Sequence, residues 1–381
     1  MKIVQMIYSL SSGGAEKFVV DLSNELSSIG HEIILLILLD DVQKSLIFNR
    51  QFLSVNVRFH SMGFDQGFSL VKSNKVERFL QDEQPDIVHC HLNVIPYIYQ
   101  LALTSRKIHF FHTLHNVTEK ASGASYQHWI NRFFYKKNLI HPVCISRLCQ
   151  ASYQRFYHLN NATYINNGRT FLKPTAHINE VKKEVETYKL SVETLVFIHV
   201  ARCHKQKNQQ LLIDSFNVLN KNGVDFILLM IGSGYDSLEG KVIQASACDK
   251  IHFFGEKDNV NDYMMCSDAF CLSSQYEGLP ISLLEAFSYG LTPICTPVGG
   301  IPDVITDGVN GYLSCGMDVK DYVNAIKRFM DNPMECDKQV SFYKDNYSMD
   351  VCAKEYEKLF EDSIQRSEEH TSELQSHLNL V

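Results

Sequence analysis

The sequence predicts an α/β protein built from two Rossmann-like domains, each with a parallel sheet, and three observations support this fold class. With 381 residues the chain is longer than a single hydrophobic core of ordinary size requires, so about two domains are expected. Short apolar runs alternate with helical segments, a pattern typical of parallel α/β sheets. A passage rich in asparagine, glycine and proline at 165–174 interrupts this alternation and marks the domain boundary.

Each half of the chain contains six apolar runs of strand length. In the first half the predicted strands are 2–8, 32–39, 57–60, 87–89, 107–112 and 142–145. In the second half they are 194–200, 226–231, 251–254, 269–273, 292–296 and 311–314. Helices are predicted over 209–220, 281–289, 319–331 and 347–364. This layout assigns residues 1–168 to an N-terminal domain and residues 169–346 to a C-terminal domain.

The composition is typical of a soluble enzyme and excludes several other classes. Hydrophobic residues make up 45% of the chain, and the net charge of −7 argues against a protein that coats nucleic acid. The eleven cysteines include no Cys-x-x-Cys pair, which indicates reduced thiols and neither a disulfide framework nor a zinc site. No apolar run reaches membrane-spanning length, and residues 1–10 are too short for a signal peptide. We therefore expect a cytoplasmic protein.

The last residues of the chain have an unusual composition. The segment that starts at Arg366 reads as the in-frame translation of a common sequencing adapter. We therefore interpret 366–381 as an artefact tail and exclude it from the fold prediction. On this interpretation, the native end beyond Gln365 lies outside the sequence.

Two carboxylates flank a predicted loop-to-helix junction in the second half. Glu277 follows the strand 269–273, and Glu285 lies about a turn and a half inside the helix 281–289. Pro280 suits the first helical position, and Gly290 suits the position after the last turn. Because helical side chains lean toward the N-terminus, Glu285 can point back to a pocket that Glu277 borders. A helix start that favours an anion, flanked by two carboxylates that bind hydroxyl groups, suits a sugar joined to a nucleotide by phosphates.

Two cations occupy the loop between the strand 194–200 and the helix 209–220. Arg202 offers a planar guanidinium and Lys207 a flexible ammonium group, the residue types needed at a diphosphate. In a transferase they would stabilise the charge on a departing nucleotide diphosphate. Lys205 is interpreted as a solvated cation, and two solvated cations beside a sheet remain the simpler alternative for Arg202 and Lys207.

A glycine-rich turn, with Gly13 and Gly14 at its centre, follows the first strand and opens a helix. Glycines let a backbone approach a ligand, and a helix start favours an anion, although a structural turn remains the alternative. The dinucleotide fingerprint Gly-x-Gly-x-x-Gly is absent. The nearest match has Gly232 and Gly234, but Ser237 stands at the third glycine position, which disfavours a nicotinamide cofactor.

Together these motifs resemble the GT-B glycosyltransferases, specifically the large retaining family 4, over about residues 1–365. The resemblance implies two domains that face a cleft, with the last helix, 347–365, crossing back onto the first domain. It implies that Glu277 holds the donor sugar and Glu285 the ribose, and that Arg202 and Lys207 bind the diphosphate. Further donor contacts are expected from the residues between the two acids and from the first glycine turn: Gly278, Leu279, Pro280, Gly13 and Gly14.

The resemblance also places a histidine of the first domain near the transferred sugar. His115, followed by Asn116, fits this placement better than His112, and His91 is expected to line the cleft. For each of these histidines a structural role remains the alternative. Two positions depart from the usual family pattern, since Thr170 stands where an aspartate often follows Asn167-Gly168 and Asp303 replaces a glutamate.

The resemblance implies a retaining transfer of sugar from a UDP- or GDP-linked donor to a hydroxyl of a sugar or lipid-linked acceptor. The setting it implies is the assembly of a cell-surface polysaccharide or glycolipid, with the nucleotide sugar as substrate and neither a metal nor another cofactor. Three alternatives stay open: a non-catalytic nucleotide-sugar-binding protein, a nucleotide-sugar epimerase, and a glycoside hydrolase that uses Glu277 and Glu285. The hydrolase is disfavoured because it needs no cations to hold a diphosphate.

One predicted helix mixes aromatic and basic residues. The segment 126–137 contains the single tryptophan of the chain, Trp129, together with four other aromatic residues and three cations. Such a helix can lie on an anionic membrane surface, which suits a lipid-linked acceptor and the inner face of the plasma membrane. A core helix with a basic solvent side is the alternative interpretation.

Overall fold

The computed structural model describes residues 1–118 and 125–378, and this part of the chain forms two compact units. Unit 1 comprises Met1–Thr170 together with the chain from Met349 onward, and unit 2 comprises Phe171–Ser348. The sequence predicted the division after residues 168 and 346. Each unit contains one parallel sheet, so the α/β fold class with two parallel-sheet domains is confirmed.

Unit 1 contains a seven-stranded parallel sheet in the order β3-β2-β1-β4-β5-β6-β7. Its strands are β1 (Lys2–Ile7), β2 (Glu32–Leu39), β3 (Arg58–Phe64), β4 (Ile87–His91), β5 (His109–Leu114), β6 (His141–Cys144) and β7 (Thr163–Tyr164). The helices before residue 170 are α1 (Gly14–Ser28), α2 (Leu70–Glu83), α3 (Tyr99–Thr104), α4 (Ser125–Lys136) and α5 (Arg147–Tyr157).

The sheet of unit 1 is buried on both faces. Adjacent residues of β1, such as Ile3 and Val4, belong to different hydrophobic clusters on opposite faces of the sheet. A strand covered on both sides has no solvent face, which explains why β2 is an unbroken apolar run without polar alternation. The sheet therefore holds the loops at the carboxyl ends of its strands on a rigid base.

Unit 2 repeats this layout with a six-stranded parallel sheet in the order β10-β9-β8-β11-β12-β13. Its strands are β8 (Leu195–Val200), β9 (Phe226–Ile231), β10 (Ile251–Gly255), β11 (Ala269–Leu272), β12 (Thr292–Cys295) and β13 (Tyr312–Leu313). Its helices are α6 (Ile178–Tyr188), α7 (Gln209–Lys221), α8 (Leu238–Ala245), α9 (Val260–Met264), α10 (Ile281–Ser288), α11 (Ile301–Val304), α12 (Val319–Asp331) and α13 (Cys336–Asn346).

The chain then returns to unit 1 as the long helix α14 (Met349–Leu378). Tyr356 and Phe360 of α14 are fully buried in the cluster that contains Phe18 of α1. At the start of α14, a side chain on Gly168 would overlap Cys352, so this approach needs glycine. The predicted tail 366–381 continues the helical backbone as far as Leu378, and residues 379–381 lie outside the described part. Its interpretation as an artefact stays a prediction.

The structure contains elements that the sequence analysis did not predict. They are the two-residue strand β7 and the helices α2, α3, α5, α6, α8, α9, α11 and α13. The strand β7 and the helices α9 and α11 are very short, and α13 has a largely polar sequence. Pro280 is the residue before the first turn of α10 and not its first helical residue, because its ψ of 123° is extended. In the described part of the chain, we find no helix that combines the length and apolar character needed to cross a membrane.

Candidate functional site

The predicted donor residues of unit 2 lie on two loops that touch each other. Because β8 and β11 are neighbouring parallel strands, the loops after them leave the same edge of the sheet. The backbone N–H of Gln275 donates to the carbonyl of Gln206 over 2.8 Å, and the Gln206 amide donates to the carbonyl of Tyr276 over 2.9 Å. The hydroxyl of Ser273 donates to the carbonyls of Lys207 and Asn208. These bonds hold the cation loop against the first acid.

Glu277 is buried and held by two donors at a single carboxylate oxygen. Its Oε1 accepts a hydrogen bond from Ser274 Oγ and an ion-paired one from Lys207 Nζ, each over 2.5 Å. Charge-assisted hydrogen bonds of this kind are shorter and stronger than neutral ones. The structure therefore brings two predicted site residues, Glu277 and Lys207, into direct contact. Ser274 was missed, although its position three residues before Glu277 is visible in the sequence.

A glycine at the neighbouring strand end lets the backbone of Glu277 sit where it does. Gly299 has a φ of +63°, and a Cβ at this position would overlap the carbonyl oxygen of Glu277. The backbone N–H of Gly300 donates to the carbonyl of Gly278 over 2.7 Å. Thr296 Oγ1 donates to the carbonyl of Ser274 over 2.6 Å. The loop after β12 therefore supports the loop that carries the acid.

The second acid lies on α10, whose start is open. Glu285 is buried in the second turn of this helix, and Gly290, with a φ of +77°, follows its end. Among the described residues, no side chain caps the first turn of α10. The N–H of Leu283 donates to the carbonyl of Pro280 over 3.1 Å, so the N–H groups of Ile281 and Ser282 are the ones that an anion could use. Leu279 is packed in the hydrophobic core of unit 2, so only its backbone can face a ligand.

Arg202 lies in the same loop as Lys207 but, unlike Lys207, is not paired with an acid among the described residues. Its side chain is exposed and forms no ion pair with a residue in the described part of the chain. The backbone at this point is fixed, because Gly232 packs so closely that a Cβ there would overlap the carbonyl of Ala201. Lys205 is exposed, as expected of a solvated cation.

In unit 1, the glycine turn predicted to face a phosphate is covered by a carboxyl group of its own helix. Gly13 precedes the first residue of α1, and a side chain on Gly13 would overlap the carboxyl group of Glu16. Ser11 Oγ donates to Glu16 Oε1 over 2.9 Å, and burial raises the pKa of Glu16. Glycine at position 13 thus has a structural reason, and an anion at this helix start would have to displace Glu16.

His115 follows the last residue of β5 and is half-buried. Its Nε2 is hydrogen-bonded to Nδ1 of His91 over 3.0 Å, and its ring packs edge-on against Phe18. Burial lowers the pKa of His115 to about 3, so its imidazole is neutral at physiological pH. The ring lines a cavity of about 180 Å³ that also includes Asn93, Asn116 and Asn131.

His112, the alternative candidate, has both ring nitrogens occupied. Its Nδ1 is hydrogen-bonded to the hydroxyl of Tyr135 over 2.7 Å, and its Nε2 donates to the carbonyl of Leu92 over 2.6 Å. Leu92 has a φ of +58°, a rare conformation for leucine that this bond helps to hold. His112 is therefore structural, which leaves His115 as the histidine with a nitrogen available at the cavity.

The residues that the structure describes contain no group of three or more metal-ligating side chains arranged to hold an ion. Unit 2 offers the buried carboxylate of Glu277, the cations of Lys207 and Arg202, and the uncapped start of α10. That set can bind a sugar hydroxyl and a diphosphate, and it can stabilise negative charge on a leaving phosphate.

Comparison with known proteins places both halves of the chain. The model for Glycosyltransferase Family 4 matches residues 12–169, and the model for Glycosyl transferases group 1 matches residues 181–349. The N-acetyl-alpha-D-glucosaminyl L-malate synthase of Bacillus anthracis is 27% identical over 320 residues, which are 80% of this chain and 81% of that protein.

Two further likenesses concern proteins whose names or ligands include UDP. The UDP-Gal:alpha-D-GlcNAc-diphosphoundecaprenol alpha-1,3-galactosyltransferase of Escherichia coli is 23% identical over 289 residues, 70% of this chain and 73% of that enzyme. The crystal structure of Anabaena HepE in complex with UDP and glucose has a TM-score of 0.74 at 15% identity and covers 95% of this chain and 100% of HepE. The structural likeness shows a shared fold.

Proposed function

The chain belongs to the group 1 glycosyl transferases and has the GT-B fold, and on this basis we propose that it is a retaining enzyme with a nucleotide-sugar donor. The proposed reaction moves the sugar from a UDP- or GDP-linked donor to a hydroxyl of a sugar or lipid-linked acceptor. The proposed setting is the assembly of a cell-surface polysaccharide or glycolipid.

The observation that carries this proposal is the joint fixation of Glu277 by Lys207 and Ser274. Both donors bind Oε1, so Oε2 is left to accept a hydrogen bond from a sugar hydroxyl. Lys207 and the uncapped start of α10 are the groups proposed to bind the diphosphate. Arg202, exposed and without an acidic partner in the described part of the chain, supplies a second cation for the same diphosphate.

In the proposed reaction, the bond between the anomeric carbon and the diphosphate oxygen breaks while the acceptor oxygen bonds to that carbon on the same face. The acceptor's proton goes to the departing phosphate. Arg202 and Lys207 stabilise the negative charge that develops on the diphosphate, where preorganised cations have their largest effect. The neutral His115 accepts a hydrogen bond from a hydroxyl of the transferred sugar.

UDP is the nucleotide that the relatives favour. The Escherichia coli relative is named for a UDP-linked donor and a diphosphoundecaprenol acceptor, and HepE was crystallised with UDP and glucose. We propose the same nucleotide class for this chain, with a lipid-linked acceptor as the first class to test. The donor sugar depends on pocket contacts that a nucleotide preference does not determine.

Thermal unfolding of the full chain with UDP, GDP, ADP and their sugar conjugates tests the donor. A ligand present at a hundred times its Kd adds about 2.7 kcal/mol to the free energy of unfolding, which raises the midpoint. We expect a shift with the UDP series that is lost in Arg202→Ala and Lys207→Ala. The matched control is Lys205→Ala, an exposed cation of the same loop, which should keep the shift.

The same assay and a product analysis separate the alternatives. No shift with any nucleotide in a folded sample would contradict the transferase and favour the hydrolase. Binding without transfer to any acceptor would favour a non-catalytic protein, and conversion of the donor sugar without an acceptor would indicate an epimerase. NMR of the product's anomeric coupling tests retention, since an inverted product would contradict the proposed mechanism.

We also propose that α4 brings unit 1 onto an anionic membrane surface. Its exposed large side chains Tyr126, Trp129, Ile130 and Phe133 follow the spacing of one helix face, and Trp129 is 66% exposed. The exposed Lys136 and Lys137 come next along the chain, which adds attraction to anionic lipid. This location at the inner face of the plasma membrane suits a lipid-linked acceptor.

Fluorescence tests the membrane proposal cleanly, because Trp129 is the single tryptophan of the chain. We expect its emission to shift to the blue with vesicles that contain phosphatidylglycerol and to stay unchanged with phosphatidylcholine alone. Co-sedimentation with the anionic vesicles should weaken in Phe133→Ser. Leu103→Ser, which removes an exposed apolar side chain from α3, is the matched control. An unchanged emission with anionic vesicles would contradict this proposal.

A further inference from the structure

Three polar side chains of unit 1 form a continuous hydrogen-bonded chain that ends at His115. Gln5 lies in β1 and His91 is the last residue of β4, so the carboxyl-end geometry of the parallel sheet brings them together. Gln5 Oε1 and His91 Nε2 are 2.7 Å apart, and His91 Nδ1 and His115 Nε2 are 3.0 Å apart. Gln5 and His91 are completely buried, so water does not compete for these bonds.

We propose that Gln5 and His91 are positioning residues that determine which ring nitrogen of His115 carries its proton. They hold His115 with hydrogen on Nε2 and a free lone pair on Nδ1, which then accepts a hydrogen bond from a substrate hydroxyl. The role of Nδ1 rests on the proposed function, whereas the proton position is a property of the protein alone.

The donor-to-acceptor direction of these hydrogen bonds follows from the chemistry of Gln5. An amide oxygen only accepts, so His91 Nε2 must carry hydrogen and donate to Gln5. In a neutral imidazole the other nitrogen has no hydrogen, so His91 Nδ1 accepts from His115 Nε2. His115 then has its hydrogen on Nε2 and none on Nδ1. If the oxygen and nitrogen of the Gln5 amide exchanged places, the direction of both hydrogen bonds in this series would be reversed. The position of the proton on His115 therefore tests the direction.

The argument requires that both rings stay neutral, and their surroundings ensure this. Burial lowers the pKa of His91 well below its usual value, and the neighbouring histidines His89 and His115 lower it further. Burial has the same effect on His115. If His91 or His115 were a protonated imidazolium, it would donate from both nitrogens. The hydrogen bonds would then no longer run in one direction from His115 to Gln5.

Aromatic packing holds the imidazole rings of His91 and His115 in place. Phe18 contacts His91 and His115 edge-on, with ring centroids 6.1 and 5.4 Å away, and His89 packs against His91 at 4.1 Å. If either imidazole ring rotated by half a turn about its Cβ–Cγ bond, it would lose its hydrogen bond while still packing against these neighbours. The orientation that presents Nδ1 of His115 is therefore fixed by β1, α1 and β4 together.

Nitrogen-15 NMR of histidine side chains in the full chain tests the proton position directly. In the wild type we expect His115 to show a protonated Nε2 and an unprotonated Nδ1. His91→Phe keeps the ring but removes the acceptor, and Gln5→Met keeps the chain length but removes the amide, so each should yield a mixture of the two tautomers. The control His109→Phe changes a histidine of β5 that is bonded to Ser363 and lies outside this series, so it should leave a single tautomer.

Two NMR results would overturn the proposal. One is a wild-type His115 protonated at Nδ1, which would mean that the chain runs in the opposite direction. The other is an unchanged single tautomer in His91→Phe, which would mean that something other than His91 determines it. Neither result depends on transfer activity, so a failure of the proposed function does not decide this test.

Kinetics with the wild type and variants tests whether the proton position matters for turnover. We expect His91→Phe to lower kcat about tenfold with little change in donor KM, as for a lost hydrogen bond to the reacting sugar. If His91 acts through His115, the double variant with His115→Ala is no slower than His115→Ala alone. Independent, multiplying effects of the two substitutions would overturn the positioning role.

Discussion

At the scale of single residues, the candidate site is defined by how one carboxylate oxygen is held. Glu277 by sequence is an acid before a helix, and nothing in its neighbours along the chain says which oxygen is free. The structure shows that Ser274 and Lys207 share Oε1. The remaining oxygen has a defined orientation because two donors, from different loops, prevent the carboxylate from rotating.

Removing one of these donors tests that orientation. We expect Ser274→Ala to lower kcat/KM about tenfold, because a hydrogen bond to a charged group is lost and the carboxylate gains freedom. The control Ser215→Ala removes an equally buried hydroxyl from α7 and should leave activity unchanged. Steady-state kinetics on both variants provides the comparison, and an active Ser274→Ala enzyme would show that Lys207 alone suffices.

The close approach of Gly299 to Glu277 predicts a second residue-level effect. In Gly299→Ala the new methyl group overlaps the carbonyl of Glu277, and the residue must also adopt a φ of +63°. We expect a loss of about 3 kcal/mol in the free energy of unfolding, together with lower activity. Gly223→Ala has a similar φ of +75° but open space around its Cβ, so it should cost about 1 kcal/mol. Equal losses in urea denaturation would contradict the overlap.

At the scale of elements, α14 completes unit 1 although it comes last in the chain. Its buried side chains, among them Tyr356 and Phe360, extend the cluster formed by β1, β2 and α1. Tyr356 also shares a hydrogen bond of 2.9 Å with Thr113 of β5, and Thr113 is bonded to His89. The helix therefore supports the strands that carry the histidine chain.

Truncating one of these side chains measures that support. We expect Phe360→Ala to lower the free energy of unfolding by about 3 kcal/mol, since it removes a fully buried ring and leaves a cavity. Lys358→Ala, an exposed position of the same helix, should change it by less than about 0.5 kcal/mol. Thermal and urea unfolding of both variants will show whether α14 is integral to unit 1, which a small effect at Phe360 would refute.

At the scale of the whole molecule, the two units differ in how many of their described histidines have a pKa strongly lowered by burial. Histidines whose pKa is strongly lowered by burial lie mainly in unit 1: His89, His91, His112, His115 and His141, against His199 in unit 2. The pKa values of His112, His141 and His199 are lowered to about 4. Because these histidines bind protons in the unfolded chain at a pKa near 6.5, stability is present above that pH and is lost as the pH falls toward 4.

This imbalance predicts that unit 1 is the acid-sensitive unit. At pH 5 each buried neutral histidine should cost about 2 kcal/mol relative to pH 7.5, before most carboxylates begin to titrate. Hydrogen exchange followed by mass spectrometry in moderate urea at the two pH values, corrected for intrinsic exchange rates, reports on peptides of each unit separately. We expect the protection of unit 1 peptides to fall further, and an equal fall in both units would contradict the prediction.

The sequence by itself determined the two parallel-sheet units and the position of nearly every strand. Buried strands appear in the sequence as short apolar runs, and amphipathic helices appear as apolar residues at helical spacing. It also indicated Glu277, Lys207 and Arg202, whose residue types and loop positions carry chemical meaning. It missed β7 and eight helices, among them the very short α9 and α11 and the largely polar α13, whose sequences give little periodic signal.

Only the tertiary structure decided which groups touch. The pairing of Lys207 with Glu277 joins residues 70 positions apart, and the bond from Gln5 to His91 joins residues 86 positions apart. The same is true of Gly13, whose missing side chain makes room for the carboxyl group of Glu16. Such contacts depend on strand order and on the closeness of loops at one sheet edge, and a linear pattern does not contain that information.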